Sequence, residues 1–205
     1  MYTVIGLPRT RTFRVIWMLE EAGLDYDLIP APPQSDRVVA HNDLGKVPIL
    51  LVEGEALTDS TAILNFLADR HEVLTYPAGS MERARQDGLM HFLLDQFDAA
   101  LWTAARHSFI LPEEHRMPAI KDSLRWEMRS SAKALARRIG DGPYLMGEVL
   151  TVPDILAAHC MSWANVAKFD LNLPELNDYL ARMQARPAYR AAVARGQAAL
   201  NSDAG

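Results

Sequence analysis

The chain has 205 residues, is 49% hydrophobic and 23% charged, and carries a formal net charge of -5 with a pI near 5.7. That length can bury one large core or two small ones, and no apolar run approaches the roughly 18 residues that a membrane helix needs. The acidic balance argues against a nucleic-acid binder, whose affinity rests on a basic surface. Arg125, Arg129, Arg137 and Arg138, interrupted by Glu127, read as a solvated helix face.

Tyr2–Ile5 is a short apolar run with β-branched residues, which predicts a first strand. Val15, Met18, Leu19 and Ala22 then recur at helical spacing until Gly23, which predicts a helix. Tyr26–Ile29 gives a second strand, and the turn-rich segment APPQSD leads to a weak helical stretch around Asp36–His41. Pro48–Val52 and Glu55–Leu57 flank Glu53-Gly54, a hairpin signal, and Ile63, Leu64 and Leu67 mark a closing helix from about Ser60. The predicted order is βαβαββα, the winding of a thioredoxin-like domain, over residues 1–76.

Pro77-Ala78-Gly79-Ser80 reads as the start of a linker, placed at residues 77–86. Beyond it, helical periodicity covers about 82–107, 114–139, 152–167, 175–185 and 188–200, which predicts an all-helical bundle domain over residues 87–205. The fold class is therefore α/β followed by all-α. Thr151-Val152-Pro153-Asp154 is a capping box, with Leu150 placed to staple onto Ile155.

The opening Met1–Phe13 is apolar before it is basic, the reverse of a secretory signal, and the expected location is the cytoplasm. Cys160 is the single cysteine, so no disulfide forms within the chain, and its expected role is packing. The six histidines include no HExxH pattern, and no metal site is expected.

Two stretches carry chemistry. In Gly45-Lys46-Val47-Pro48-Ile49-Leu50 a proline opens a buried strand, where its missing N–H is normally costly. A cis Val47–Pro48 bond, within about 0.5–1 kcal/mol of trans for such a peptide, would turn the Val47 backbone N–H and C=O outward to pair with a peptide. An edge-strand proline after a glycine turn is the plain alternative. In Leu57-Thr58-Asp59-Ser60-Thr61-Ala62-Ile63-Leu64 a helix opens with polar side chains. Helix N-termini hold anions, so Ser60 and the amides behind it suit a carboxylate, and Asp59 suits an ammonium. Simple N-capping explains the same residues and is compatible with binding.

The chain resembles the soluble glutathione transferase family in its bacterial form. G-K-V-P-I-L resembles that family's cis-proline segment, and L-T-D-S-T-A-I-L its glutamyl-binding motif. The opening I-G-L-P-R-T-R-T-F-R-V-I-W-M-L-E-E-A-G-L-D-Y resembles the family's first strand and helix, and Thr151–Asp154 followed by Ile155 its capping motif in the last domain. The resemblance implies glutathione as co-substrate, bound extended: its cysteine on the Val47 backbone beside Pro48, its glutamyl end at Asp59 and Ser60, and its glycyl carboxylate near Lys46. It also implies detoxification chemistry on a hydrophobic electrophile, and a homodimer.

The reactive species in such a site is the thiolate. Its activator is expected in the first turn, where the resemblance aligns Thr10 with a serine of the family pattern. Arg11 is the second candidate, by charge, and Arg9 and Thr12 remain open. Thr10 is equally explained as a helix cap, Tyr2 reads as core, and Leu7 replaces a frequent serine. Trp102 and Arg106, on a stripe with Phe97 and Leu101, are the candidates for contact with the second substrate, although core packing explains most such stripes. Two other functions stay open: glutathione-dependent disulfide or peroxide reduction, and non-catalytic glutathione binding on the same fold.

Overall fold

A computed structural model describes residues 1–140 and 142–202. The chain divides into two compact units, Met1–Thr75 with Gln184–Gly205, and Tyr76–Met183.

The first unit is built on a mixed four-stranded sheet of order β2-β1-β3-β4, with β1 at Tyr2–Ile5, β2 at Tyr26–Ile29, β3 at Ile49–Val52 and β4 at Glu55–Thr58. β1 and β2 run parallel, so the connection must cross over, and α1 (Thr12–Ala22) provides it. β3 and β4 are an antiparallel hairpin in which Glu53 and Gly54, both at positive φ, form the turn. The short helix α2 (Asp36–Val39) precedes β3, and α3 (Ser60–His71) follows β4. The sequence-predicted order βαβαββα is therefore the observed one. Strand β3 begins one residue later than predicted because Pro48 has no N–H to give to the ladder.

Helix α1 buries Val15, Ile16, Trp17, Met18 and Leu19. A helix apolar nearly all round must be covered on more than one side, and α1 packs against β1, α3 and a C-terminal helix, α9 (Pro187–Ser202). Three contacts fasten that last segment. Tyr189 stacks edge-on against Phe13 and Trp17 with ring centroids 5.3 and 4.9 Å away. Arg186 grips Glu21 with two nitrogens at 2.6 and 2.8 Å, and Arg195 donates to the Tyr26 carbonyl at 3.0 Å. Gly196 is required where α9 crosses the first turn, since a Cβ there would sit 2.8 Å from the Pro8 ring. The segment expected to close the helical domain thus joins the first unit, and residues 203–205 of that expected domain lie outside the described residues.

The second unit is helical. Helix α4 (Met81–Leu93) starts inside the stretch expected to be a linker, because the Ser80 hydroxyl caps the Arg83 amide at 3.1 Å. It continues through a π-spaced turn at Leu94–Asp98 into α5 (Ala99–Ala105), and a second π-spaced turn, Arg106–Ile110, ends the rod. Helices α6 (Ile120–Ile139), α7 (Val152–Val166) and α8 (Pro174–Gln184) follow. Their core includes Met90, Phe97, Leu101, Met128, Leu135, Leu156 and Met183, and Cys160 is buried as well.

Asp154 anchors the start of α7. Its carboxylate accepts from the Leu145 and Thr151 amides at 2.8 Å, from the Tyr179 hydroxyl at 2.8 Å and from the Thr151 hydroxyl at 3.0 Å. Burial pushes this carboxyl above the usual carboxylate range while the four donors pull the other way, and burial likewise raises Tyr179.

Candidate functional site

The sheet register brings the predicted segments to one end. Ile5 pairs with Ile49 across β1 and β3, and Ile49 pairs with Thr58 across β3 and β4. One residue beyond these pairs, at the same end of the sheet, lie Gly6 after β1, Pro48 before β3 and Asp59 after β4.

Gly6 sits at φ 144°, a backbone shape that glycine tolerates. Any Cβ at this position would collide with the Thr12 hydroxyl and lie 2.9 Å from the Val47 Cβ. The first turn therefore lies directly against the Val47–Pro48 segment. The turn itself is closed by Leu7, whose carbonyl accepts the Thr10 amide at 3.0 Å and the Thr10 hydroxyl at 2.7 Å. Thr10 Oγ1 in turn accepts the Thr12 amide at 3.2 Å and faces the Thr12 hydroxyl at 2.9 Å. Because a carbonyl can only accept, the single Thr10 proton points at Leu7, and the Thr12 hydroxyl donates to Thr10. Arg9 is exposed, Arg11 is half-buried at the N-cap of α1, and Thr12 is fully buried.

The second segment is held from behind. The Gln34 amide and side chain bond to the Gly45 and Leu44 carbonyls, each at 2.9 Å, and Asn42 Nδ2 donates to the Lys46 carbonyl at 2.9 Å. Lys46 is exposed, Val47 half-buried and Pro48 buried, and the Val47–Pro48 peptide is cis.

The third segment opens α3. Asp59, exposed and at φ 69°, caps the helix through Oδ1, which accepts the Thr61 and Ala62 amides at 2.8 and 3.0 Å. Both bonds use one oxygen, leaving Oδ2 out of the cap. Ser60 is 2% exposed, and its Oγ accepts from Arg14 Nη1 at 3.2 Å. Behind it Thr61 Oγ1 is buried with no hydrogen-bond partner among the described residues.

Trp102 and Arg106 belong to the helical unit. Phe97 and Leu101 of their stripe are core, whereas Trp102 and Arg106 are half-buried. Arg106 Nη2 donates to the Thr103 hydroxyl at 3.0 Å, and its Nε is buried without a partner among the described residues. Among the described residues no group of His, Cys, Asp and Glu is arranged to hold a metal ion.

Sequence reasoning missed Gly6 and Arg14, whereas Thr12 was among the residues left open. The signal for Arg14 was present: a cation between Phe13 and the apolar run Val15–Leu19 calls for a specific acceptor.

Residues 10–70 match the family described as Glutathione S-transferase, N-terminal domain, and residues 97–187 match Glutathione S-transferase, C-terminal domain. The chain belongs to the glutathione S-transferase family. It is 26% identical over 179 residues to glutathione S-transferase GstA of Escherichia coli O157:H7, covering 82% of this chain and 86% of that protein. A glutathione transferase of Methylococcus capsulatus has the same fold at TM-score 0.82 and 26% identity, covering 96% of this chain and 99% of the other. A sphingomonad glutathione S-transferase solved in complex with glutathione superposes at TM-score 0.81 and 24% identity, over 95% of this chain and 98% of that one. Family membership brings glutathione binding and transferase activity as general chemistry, through relatives of about one-quarter identity.

Proposed function

We propose that this protein is a cytoplasmic glutathione transferase that binds glutathione at the end of its sheet and activates the thiol for attack on a hydrophobic electrophile. The observation that carries this reading is the register that sets Gly6, Pro48 and Asp59 at the same end of the sheet. The cysteine of glutathione pairs with the Val47 backbone, its glycyl carboxylate lies toward Lys46, and its γ-glutamyl ammonium and carboxylate take Asp59 Oδ2 and Ser60. The thiol loses its proton to solvent. The sulfur then forms a C–S bond to the electrophilic carbon, and the leaving group departs with its electron pair.

Lowering a thiol from about 8.5 to roughly 6.5 requires about 2.7 kcal/mol of preferential thiolate stabilisation. A charge-assisted hydrogen bond contributes about 1.5–3 kcal/mol, against about 0.5–1.5 for a neutral one. Thr10 can therefore turn its proton from the Leu7 carbonyl to a thiolate with a net gain. Arg11 is the second candidate and would act by charge.

Glutathione should raise the melting temperature, and the bound thiol should titrate below its value in water, read from the thiolate ultraviolet band. No melting shift at millimolar glutathione would remove the ligand. Binding with an unshifted thiol would leave a non-catalytic glutathione-binding protein. If Thr10 is the activating donor, Thr10→Ala returns the bound thiol toward its free value by about one to two pKa units while Arg11→Ala does not. The opposite pattern assigns the role to Arg11. Sedimentation equilibrium tests the homodimer that the reading includes.

A further inference from the structure

We infer that Arg14 is a positioning residue that makes Ser60 a one-way hydrogen-bond donor, and so gives the site its preference for a carboxylate over an uncharged amide. The inference rests on the glutathione reading of the same site. Arg14 is fully buried on α1, and its Nη1 donates to Ser60 Oγ at 3.2 Å across 46 residues of sequence. A guanidinium has five donors and no acceptor. Ser60 must therefore receive at that contact, and its one hydroxyl proton is left to point elsewhere.

A serine without such a neighbour is ambivalent. Its hydroxyl rotates to donate to an oxygen or to accept from an N–H, and it selects little between them. With one of its two lone pairs engaged by a fixed cation whose charge repels a second N–H, Ser60 greets an acceptor better than an N–H. A carboxylate presents only acceptors, whereas a carboxamide in the same place must turn part of its N–H edge toward groups that can only donate. The α3 amides beside Ser60 are donors too, and Asp59 Oδ1 already engages those of Thr61 and Ala62. Discrimination therefore falls on the hydroxyl, and Arg14 sets its direction.

The test compares glutathione with its analogue carrying a carboxamide in place of the γ-glutamyl α-carboxylate, by calorimetric Kd on the full chain. The natural protein should prefer the carboxylate by about tenfold or more, the difference between a charge-assisted and a neutral hydrogen bond. Arg14→Gln, whose amide oxygen can accept from Ser60, should cut that preference to about threefold or less. Arg14→Lys, again a donor without an acceptor, should restore most of it. Ser60→Ala should lose the preference while the charge of Arg14 is retained, and keeps the test decisive if Arg14→Gln does not fold. A preference unchanged in Arg14→Gln or Ser60→Ala overturns the inference while leaving the glutathione reading intact. A natural protein that binds neither ligand overturns both. A merely structural role for Arg14 would weaken both ligands equally, and that outcome also counts against the inference.

Discussion

Asp59 and Asp154 each serve the start of a helix, and the two carboxylates are used in opposite ways. Asp59, at the N-cap of α3, is exposed and spends one oxygen on two backbone amides. Asp154, in the first turn of α7, is fully buried and spends both oxygens on four donors. The same residue type and the same elementary need, to satisfy free amides at a helix start, give an open end in the first case and a sealed one in the second. A cap that is saturated and dry can only hold structure. A cap with an unused oxygen and solvent access can hold structure and meet a ligand.

The sharpest way to break this comparison is to make the same substitution at both sites. Asp154→Asn puts an amide N–H₂ where an oxygen accepted two bonds. Placed at Oδ1 it faces the Leu145 amide, and placed at Oδ2 it faces the Thr151 amide, so one buried backbone donor loses its acceptor in either orientation. The expected loss is about 3 kcal/mol, seen as a lower denaturation midpoint with an unchanged slope. A loss below about 1 kcal/mol would mean that the network is not what fixes the start of α7.

Tyr179→Phe probes the same network more gently. It removes a single donor at 2.8 Å, leaves three on the carboxylate and opens almost no space. The expected cost is about 1 kcal/mol, the ordinary net value of one hydrogen bond. Combined with Asp154→Asn it should be less than additive, because the two side chains are direct partners.

The contrast between the two caps also marks how far the sequence was legible. The capping box at Thr151–Asp154 was readable because every partner it needs locally lies within four residues, β1 was readable from a short β-branched run, and β3 and β4 from the Glu53-Gly54 hairpin signal between them. Tyr179, 25 residues from Asp154, gave no local sign of its role. The same limit hid the seat of α9, since Arg186 meets its carboxylate, Glu21, at a separation of 165 residues. The start of α4 was obscured differently. Met81, Glu82, Ala84 and Arg85 are all exposed, so its first turn shows no apolar periodicity, and only Ser80 announces it. At the candidate site, Pro48, Asp59 and Ser60 stood out as residue types with a known use for their geometry. Thr10 and Arg11 did not separate, because the direction of a hydroxyl proton depends on the Leu7 carbonyl and the Thr12 side chain rather than on spacing.

Asp59→Asn should have the smallest effect on stability and a selective effect on binding. Asparagine caps a helix as well as aspartate does, and a carboxamide oxygen can take the place of Oδ1 against the Thr61 and Ala62 amides without burying anything new. The expected change in stability is under about 0.5 kcal/mol. What the substitution removes is the negative charge and the second acceptor at Oδ2, the two properties that suit an ammonium. Glutathione affinity should therefore fall by about tenfold, the worth of exchanging a charge-assisted hydrogen bond for a neutral one, while an analogue lacking the amino group binds both proteins alike. Equal weakening of the two ligands would point to a disturbed helix end, and no weakening would reduce Asp59 to a cap of the Asp154 kind, structural and nothing more.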